Sequence, residues 1–155
     1  QHFDTVSVCF SKGLGAPVGS ALAGPRDLIR EARRHRKLFG GGMRQAGIIA
    51  AGALYALDHN IDRLAEDHAN ARILGDAVRE SPGLTLTPDT VDTNILIFQI
   101  APRFESAAEF VAKLEAAGVR MYPFGPMQIR AVTHLDVSAD DCRRAGEILR
   151  KLAVG

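Results

Sequence analysis

DTVSVCFSKGLGAPVGSALAG, residues 4–24, is the stretch of sequence that decides the fold. Its first part, residues 4–10, is rich in Val and Phe and predicts a buried β-strand. Two glycines and a proline in residues 11–17 then force a turn, and a second short strand is predicted over residues 18–23. Lys12 therefore lies at a strand end inside a glycine-rich turn, where α/β proteins usually bind ligands.

Helical patterns follow this hairpin. Pro25 and Asp27 open a predicted helix over residues 25–39, which the three glycines of residues 40–42 end. A second helix is predicted over residues 44–59, where small glycines would let another helix approach closely. A third, over about residues 61–80, carries an apolar face at helical spacing.

The pattern changes after residue 82, which we take as a domain boundary. Strands are predicted over residues 94–100, 119–123 and 128–132. Ser106 with Glu109 and Ser138 with Asp141 are capping-box patterns, each of which opens a helix. The resulting β-α-β-β-α order predicts a small α+β domain over residues 83–155. The strand and helix patterns before this boundary predict an α/β segment over residues 1–82.

Composition and charge exclude several classes of function. The 155 residues include 19 Lys and Arg against 18 Asp and Glu, which gives no reason to expect a nucleic-acid or anionic-membrane partner. The longest apolar run, residues 46–57, is too short to span a bilayer. Cys9 and Cys142 match no metal or redox spacing, so they predict buried thiols and no metal site. These features predict a soluble cytoplasmic protein.

The first residues carry a further expectation. The chain begins without Met or a signal-like segment, and a strand pattern starts almost at once. We expect an amino-terminal portion to precede it in the intact protein.

Lys12 is the first candidate for chemistry. A lysine in such a turn can project its amine into a cleft, and a free amine is the nucleophile that aldehyde cofactors need. For an isolated Ser-Lys-Gly a solvent-exposed loop lysine is the ordinary interpretation, so the motif alone does not establish this chemistry.

Arg44 follows Gly40, Gly41 and Gly42, and together they outline an anion site. Three glycines let the backbone turn closely around a ligand, the next helix offers unpaired amides, and the guanidinium suits phosphate oxygens. A glycine-rich helix break beside a surface arginine is the alternative.

Arg130 stands in an apolar strand, where an unpaired guanidinium would be costly to bury. It therefore needs a carboxylate partner. That partner could be a substrate or an internal acid, and an exposed edge position would remove the need for one.

Other polar residues favour structural roles. His68 lies beside an apolar helix stripe and is predicted to be packed and hydrogen-bonded, while His134 is predicted to support a helix entry. The basic run of residues 33–37 has no interleaved aromatics for base stacking, so it predicts a solvated face or an interface.

Several segments resemble one enzyme family. Residues 4–24, KLFGGGMRQAG (37–47) and IRAVTHLD (129–136) resemble segments of L-threonine aldolases, within the fold-type I pyridoxal-phosphate enzymes. The resemblance covers essentially the whole chain but only the latter part of the family's length. It implies that residues 1–82 are the end of the large, cofactor-binding domain with its connecting helices, and that residues 83–155 are the small carboxy-terminal α+β domain.

The resemblance implies roles for three residues. Lys12 would hold pyridoxal phosphate as the Schiff-base lysine, Arg44 would reach its phosphate across a subunit interface, and Arg130 would bind the substrate α-carboxylate. The substrate would be a β-hydroxy-α-amino acid, cleaved to glycine and an aldehyde. A homo-oligomer, dimer or tetramer, and an amino-terminal portion that completes the site are implied. The rival hypotheses are a non-catalytic assembly module and another lyase that uses this cofactor.

Overall fold

The computed structural model describes residues 2–154, which divide into two compact units, with the boundary in the chain between Arg63 and Leu64. The first unit contains β1 (Val6–Cys9), β2 (Ser20–Ala23), α1 (Arg26–Leu38) and α2 (Gly47–His59). The second contains α3 (Leu64–Arg79), β3 (Leu84–Leu86), β4 (Ile95–Ile100), a 3-10 turn (Pro102–Phe104), α4 (Ala107–Ala116), β5 (Tyr122–Gly125), β6 (Gln128–Val132) and α5 (Ala139–Val154). The structure is therefore mixed α/β, as predicted.

The hairpin of the first unit is an antiparallel ribbon. Val6 pairs with Ala23 and Cys9 with Ser20, and the intervening loop contains Lys12. The prediction of a buried strand is wrong as to burial, because Val6 is 53% exposed and Val8 is 41% exposed. A ribbon of two strands has no second layer of its own to cover its apolar side chains. The Val-rich pattern thus identifies the strand but not what covers it.

The second unit is built on an antiparallel sheet with the strand order β3-β4-β6-β5. One face of the sheet packs against α3, α4 and α5. Side chains from both layers form the core: Leu74, Val78, Leu84, Leu86, Leu96, Phe98, Phe110, Leu114, Ile129, Cys142 and Leu149. This burial of alternate strand residues under amphipathic helices is the main source of stability in the unit.

Two features of the second unit differ from the predicted β-α-β-β-α order. β3 was not predicted, because three residues are too few to show an alternating pattern. α3 packs against α5 and β3, so it belongs to this compact unit. The boundary at residue 82 was predicted for the domains of an intact enzyme, and it stays a prediction.

The two predicted capping boxes form to different extents. At α5 the box is reciprocal: Asp141 N donates to Ser138 Oγ at 3.1 Å, and Ser138 N donates to Asp141 Oδ2 at 3.0 Å. At α4 only one half forms. Glu109 N donates to Ser106 Oγ at 3.2 Å, but Ser106 N donates to Phe104 O and not to the Glu109 side chain. The Glu109 carboxyl interacts instead with Glu105, which raises the pKa of Glu109.

The α5 cap gives a pH-dependent prediction. Hydrogen bonds from the Ser138 side chain and backbone lower the pKa of Asp141 below its ordinary value. A lowered folded-state pKa contributes stability that is present above the unfolded-state value of about 3.9 and is lost as pH falls through the folded value. We expect Ser138→Ala to cost about 1 kcal/mol at neutral pH. Urea unfolding should show this difference shrink below about pH 4, and a difference unchanged at pH 2 would contradict the linkage.

Candidate functional site

Lys12 lies in a tightly hydrogen-bonded turn directly after β1. Gly15 N donates to Lys12 O at 2.8 Å, and Ala16 N donates to Phe10 O at 2.9 Å. Gly15 has a φ of 73°, in the left-handed region that favours glycine. The Lys12 side chain is exposed, while Leu14 and Ala16 on the same loop are buried. The loop therefore fixes the backbone of Lys12 and leaves its amine accessible.

Helix α2 holds this loop in place from the side. Asn60 Nδ2, at the end of α2, donates to Leu14 O at 2.7 Å. A Cβ on Gly52 would lie only 3.0 Å from Pro17 Cδ, so the loop packs directly against the glycine. Among the described residues the close neighbour of Gly52 is Pro17, and the expected approach of another helix is not seen there. Sequence reasoning missed Asn60, whose only signal was its position at a helix end.

The contact between Gly52 and Pro17 predicts opposite effects for two glycines of one helix. Gly52→Ala should lower the free energy of unfolding by about 1 kcal/mol, because the methyl group overpacks the loop. Gly47→Ala, with no atom within 4 Å of its Cβ among the described residues, should be neutral or stabilising by up to about 1 kcal/mol. Urea unfolding of both variants tests this, and equal shifts would show that Gly52 is not a packing site.

Cys9 lies beside the same loop and is half-buried, which corrects the expectation of a fully buried thiol; Cys142 is buried as expected. The Cys9 Sγ is 3.3 Å from Ser11 Oγ. Hydrogen bonds from the side chain and then the backbone of Ser11 lower the pKa of Cys9, and the Lys12 charge adds a smaller effect in the same direction. The end of β1 is therefore a polar environment.

Arg44 is exposed in the turn that precedes α2. The turn begins with Gly40, whose φ is 82°, and Gly41 N donates to Arg36 O at 2.7 Å. A Cβ on Gly41 would lie 2.8 Å from the same carbonyl oxygen, so only glycine fits. No side chain caps the first turn of α2. The unpaired amides and the guanidinium can together attract an anion.

Arg130 lies in the second unit, in the inner strand β6. Its neighbours Ile129 and Ala131 point into the helix-covered core, so Arg130 points to the open face of the sheet. There it stands in register between Ile97 of β4 and Tyr122 of β5. The exposed-edge alternative is therefore wrong. Within residues 2–154, no acidic side chain lies at ion-pair distance from Arg130, so the internal-pair alternative also lacks a partner.

Other polar groups of the second unit have structural partners. His134 Nδ1 accepts a hydrogen bond from Asp136 N at 3.2 Å, just before α5, as expected for a helix entry. Thr133 Oγ1 donates to Asp67 O at 2.6 Å, and Asn70 Nδ2 donates to Val137 O at 3.2 Å. Sequence reasoning missed this buried polar group of Asp67, Asn70 and Thr133. The signal was the presence of polar residues within the apolar stripe of α3.

Two classes of feature are absent from residues 2–154. No group of three His, Cys, Asp or Glu side chains is arranged to hold a metal ion. No helix in that range has the length and apolar character needed to cross a bilayer. Of the three predicted site residues, Lys12 and Arg44 belong to the first unit and Arg130 to the second.

Known sequences resemble the chain over most of its length. A family model described as beta-eliminating lyase matches residues 1–101. The low-specificity L-threonine aldolase of Escherichia coli K12 is 44% identical over 140 residues, which cover 90% of this chain and 40% of that protein. The low-specificity L-threonine aldolase 1 of Arabidopsis thaliana is 37% identical over 139 residues, with coverages of 89% and 39%. The chain thus spans about two fifths of the length of these relatives.

Solved structures share the fold. The threonine aldolase of Leishmania major matches with a TM-score of 0.74 at 22% identity, covering 97% of this chain and 43% of that chain. The serine palmitoyltransferase of Sphingomonas wittichii matches with a TM-score of 0.71 at 17% identity, with coverages of 97% and 40%. Identities this low show a common fold and do not by themselves show a common reaction.

Proposed function

Because the chain belongs to the beta-eliminating lyase family and has the fold of fold-type I pyridoxal-phosphate enzymes, we propose that it is the carboxy-terminal part of an aldolase. The intact enzyme would cleave threonine or related β-hydroxy-α-amino acids to glycine and an aldehyde. The relatives named above, which are low-specificity L-threonine aldolases, support this choice of substrate. Pyridoxal phosphate is the cofactor of this fold family.

The accessible Lys12 amine on its rigid turn is the observation that carries the proposal. A covalent cofactor needs a primary amine whose backbone is fixed and whose tip is free. Hydrogen bonds to Lys12 O and Leu14 O fix the loop, and the side chain is exposed. The accessible amine of this fixed loop therefore suits an aldehyde cofactor, and we assign Lys12 as the residue that binds the cofactor covalently.

Arg44 and the glycine turn before α2 are proposed to hold the cofactor phosphate. The Gly41 backbone tolerates no side chain, and the first amides of α2 have no side-chain cap. A phosphate there would accept hydrogen bonds from amides at the positive end of the helix dipole and from the guanidinium. We propose that Arg44 does this for a neighbouring subunit's site.

Arg130 is proposed to bind the substrate α-carboxylate. Its side chain points to the open face of the sheet without an acidic partner in the described residues, so its donors remain available for a bidentate carboxylate. Holding the carboxylate fixes the orientation of the Cα–Cβ bond that is to be cleaved. The cofactor, when bound, supplies an electron-accepting ring for that cleavage.

A symmetric homo-oligomer, dimer or tetramer, is proposed as the working state. Helix α2 is apolar, yet Ala56 is its only buried residue among those described. Ile48 is 86% exposed, and Leu54 and Tyr55 are also exposed. Apolar surface of this kind is usually covered in an assembly. Both cysteines are free thiols, which fits the proposed cytoplasmic location.

A second lyase reaction is the competing proposal, favoured by the description of the matching family as beta-eliminating. Elimination from threonine would release ammonia and a 2-oxo acid, whereas aldol cleavage releases glycine and acetaldehyde. We expect the intact protein, supplied with pyridoxal phosphate, to convert threonine to equal amounts of glycine and acetaldehyde. Ammonia and 2-oxobutanoate as the main products would replace the aldolase proposal with the elimination.

The 155-residue chain by itself is expected to behave differently. The proposed site groups of this chain are one amine for a covalent bond to the cofactor, Lys12, and two positive charges, Arg44 and Arg130. We propose that the rest of the site comes from an amino-terminal portion. We expect negligible threonine cleavage by the isolated chain and recovery when that portion is added. Robust turnover by the isolated chain would show that the essential groups are all within it. An inactive mixture would support the non-catalytic assembly module.

A further inference from the structure

The second unit contains a cavity whose lining includes none of the three proposed site residues. It has a volume of about 290 Å³ and opens between the first half of α5 and the segment that joins α4 to β5. We call it the α5 slot. Its apolar lining comes from four elements: Leu74, Val119, Met121, Ala131, Cys142 and Ile148.

The size of the α5 slot sets it apart from an ordinary packing defect. Protein interiors rarely contain voids larger than a water molecule, and small-molecule sites begin at roughly 300 Å³. Thr133, the buried polar residue of the slot, is already satisfied, because its Oγ1 donates to Asp67 O and its N donates to Asn94 O. Water against the apolar part of the lining would therefore find few partners there, and an apolar group would displace it favourably.

The charged residues that line the slot are two arginines and one aspartate, Arg120, Arg144 and Asp141, which leaves a net positive charge there. Arg120 and Arg144 line it, and their side chains are 87% and 71% exposed. Each makes a single long ion pair, with Glu115 at 3.5 Å and with Asp141 at 3.3 Å, so several guanidinium donors are free. The Asp141 carboxylate is engaged by the α5 cap and does not compete as a cation site.

We propose that the α5 slot binds a small monocarboxylate with a branched apolar tail, held by Arg120 and Arg144 at its carboxylate. If each non-hydrogen atom takes about the volume of one water molecule in the liquid, roughly 30 Å³, the slot accommodates on the order of ten such atoms. The tail contacts the apolar lining, and the carboxylate remains at the opening in reach of both guanidinium groups. This site is separate from the proposed substrate site, because β6 presents Ala131 to the slot and Arg130 to the opposite face of the sheet.

The test is calorimetric titration of the intact protein with 4-methylpentanoate and with its uncharged amide. We expect the acid to bind with a Kd on the order of 0.1–1 mM, within the ligand-efficiency limits for so small a molecule. The amide should bind at least about tenfold more weakly. Equal binding of the two, or no binding of the acid at about 10 mM, a concentration ten times above that range, would overturn the proposal.

Variants locate the binding within the slot. The double variant that combines Arg120→Gln and Arg144→Gln should bind the acid at least about tenfold more weakly. Ala145→Leu, which fills the slot from α5, should weaken it independently of charge. Arg143→Gln is the matched control, since Arg143 is on the same helix but pairs with Asp140 outside the slot. Thermal melting checks that each variant folds, and binding unchanged in both the charge and the filling variants would refute the site.

Discussion

Replacing Lys12 by alanine is expected to abolish covalent attachment of pyridoxal phosphate and to reduce threonine cleavage by at least about a hundredfold, the lower end of what a positioned nucleophile or base contributes. The turn that carries Lys12 is fixed by its own backbone hydrogen bonds, so removal of the side chain should leave the loop intact. The loss should therefore be chemical and not structural. Unfolding in urea, unchanged from wild type, would establish this.

The attachment itself can be measured directly. The protein with cofactor should absorb near the visible edge, and borohydride should fix the cofactor on Lys12 in a peptide map. Lys113→Ala is the control, because Lys113 lies on an exposed position of α4 outside the proposed site. A cofactor fixed to another lysine, such as Lys37 or Lys113, would refute the assignment.

Replacing Arg130 by alanine is expected to impair amino-acid binding while covalent cofactor attachment persists. A bidentate charged contact contributes about 1.5–3 kcal/mol, so kcat/KM for threonine should fall by about ten- to a hundredfold or more. Arg130→Lys should recover little, since an ammonium lacks the planar fork of the guanidinium. The absorbance of the bound cofactor should be unchanged in both variants.

Two comparisons make the Arg130 result decisive. Arg143→Ala removes an exposed arginine of the same unit that pairs with Asp140, and it should leave kcat/KM unaltered. If Arg130→Ala unfolds the protein, the guanidinium is a structural element of the sheet and not a substrate clamp. Unchanged saturation by threonine would remove Arg130 from the substrate site.

The sequence predicted most of the helices and strands because their signals are local. Ser106 and Ser138 were recognised as caps from the residue three positions later, and both helices begin where expected. Burial in the first unit was not predictable from such signals. The Val-rich strand has the composition of a covered strand, but what covers a strand depends on residues far away in the sequence.

The candidate site was predictable only in part for the same reason. Lys12 and Arg44 were singled out by glycines near them. Lys12 lies in the expected turn, whereas Arg44, predicted as the first residue of the second helix, lies in the turn before α2. The supports of the Lys12 loop, Asn60 and Gly52, lie 46 and 35 positions beyond their partners Leu14 and Pro17. Contacts over such separations have no local pattern, so they became visible only in the structure.

The connection between β5 and β6 is expected to tolerate changes of residue but not of length. Pro126 O accepts a hydrogen bond from Ala107 N at 2.8 Å, and Met127 O accepts one from Ile100 N at 3.0 Å. An insertion of one residue there would shift β6 by one position and exchange its two faces, burying Arg130 and exposing Ile129. Variation among natural versions of this segment should therefore consist of substitutions, with insertions and deletions confined to other loops.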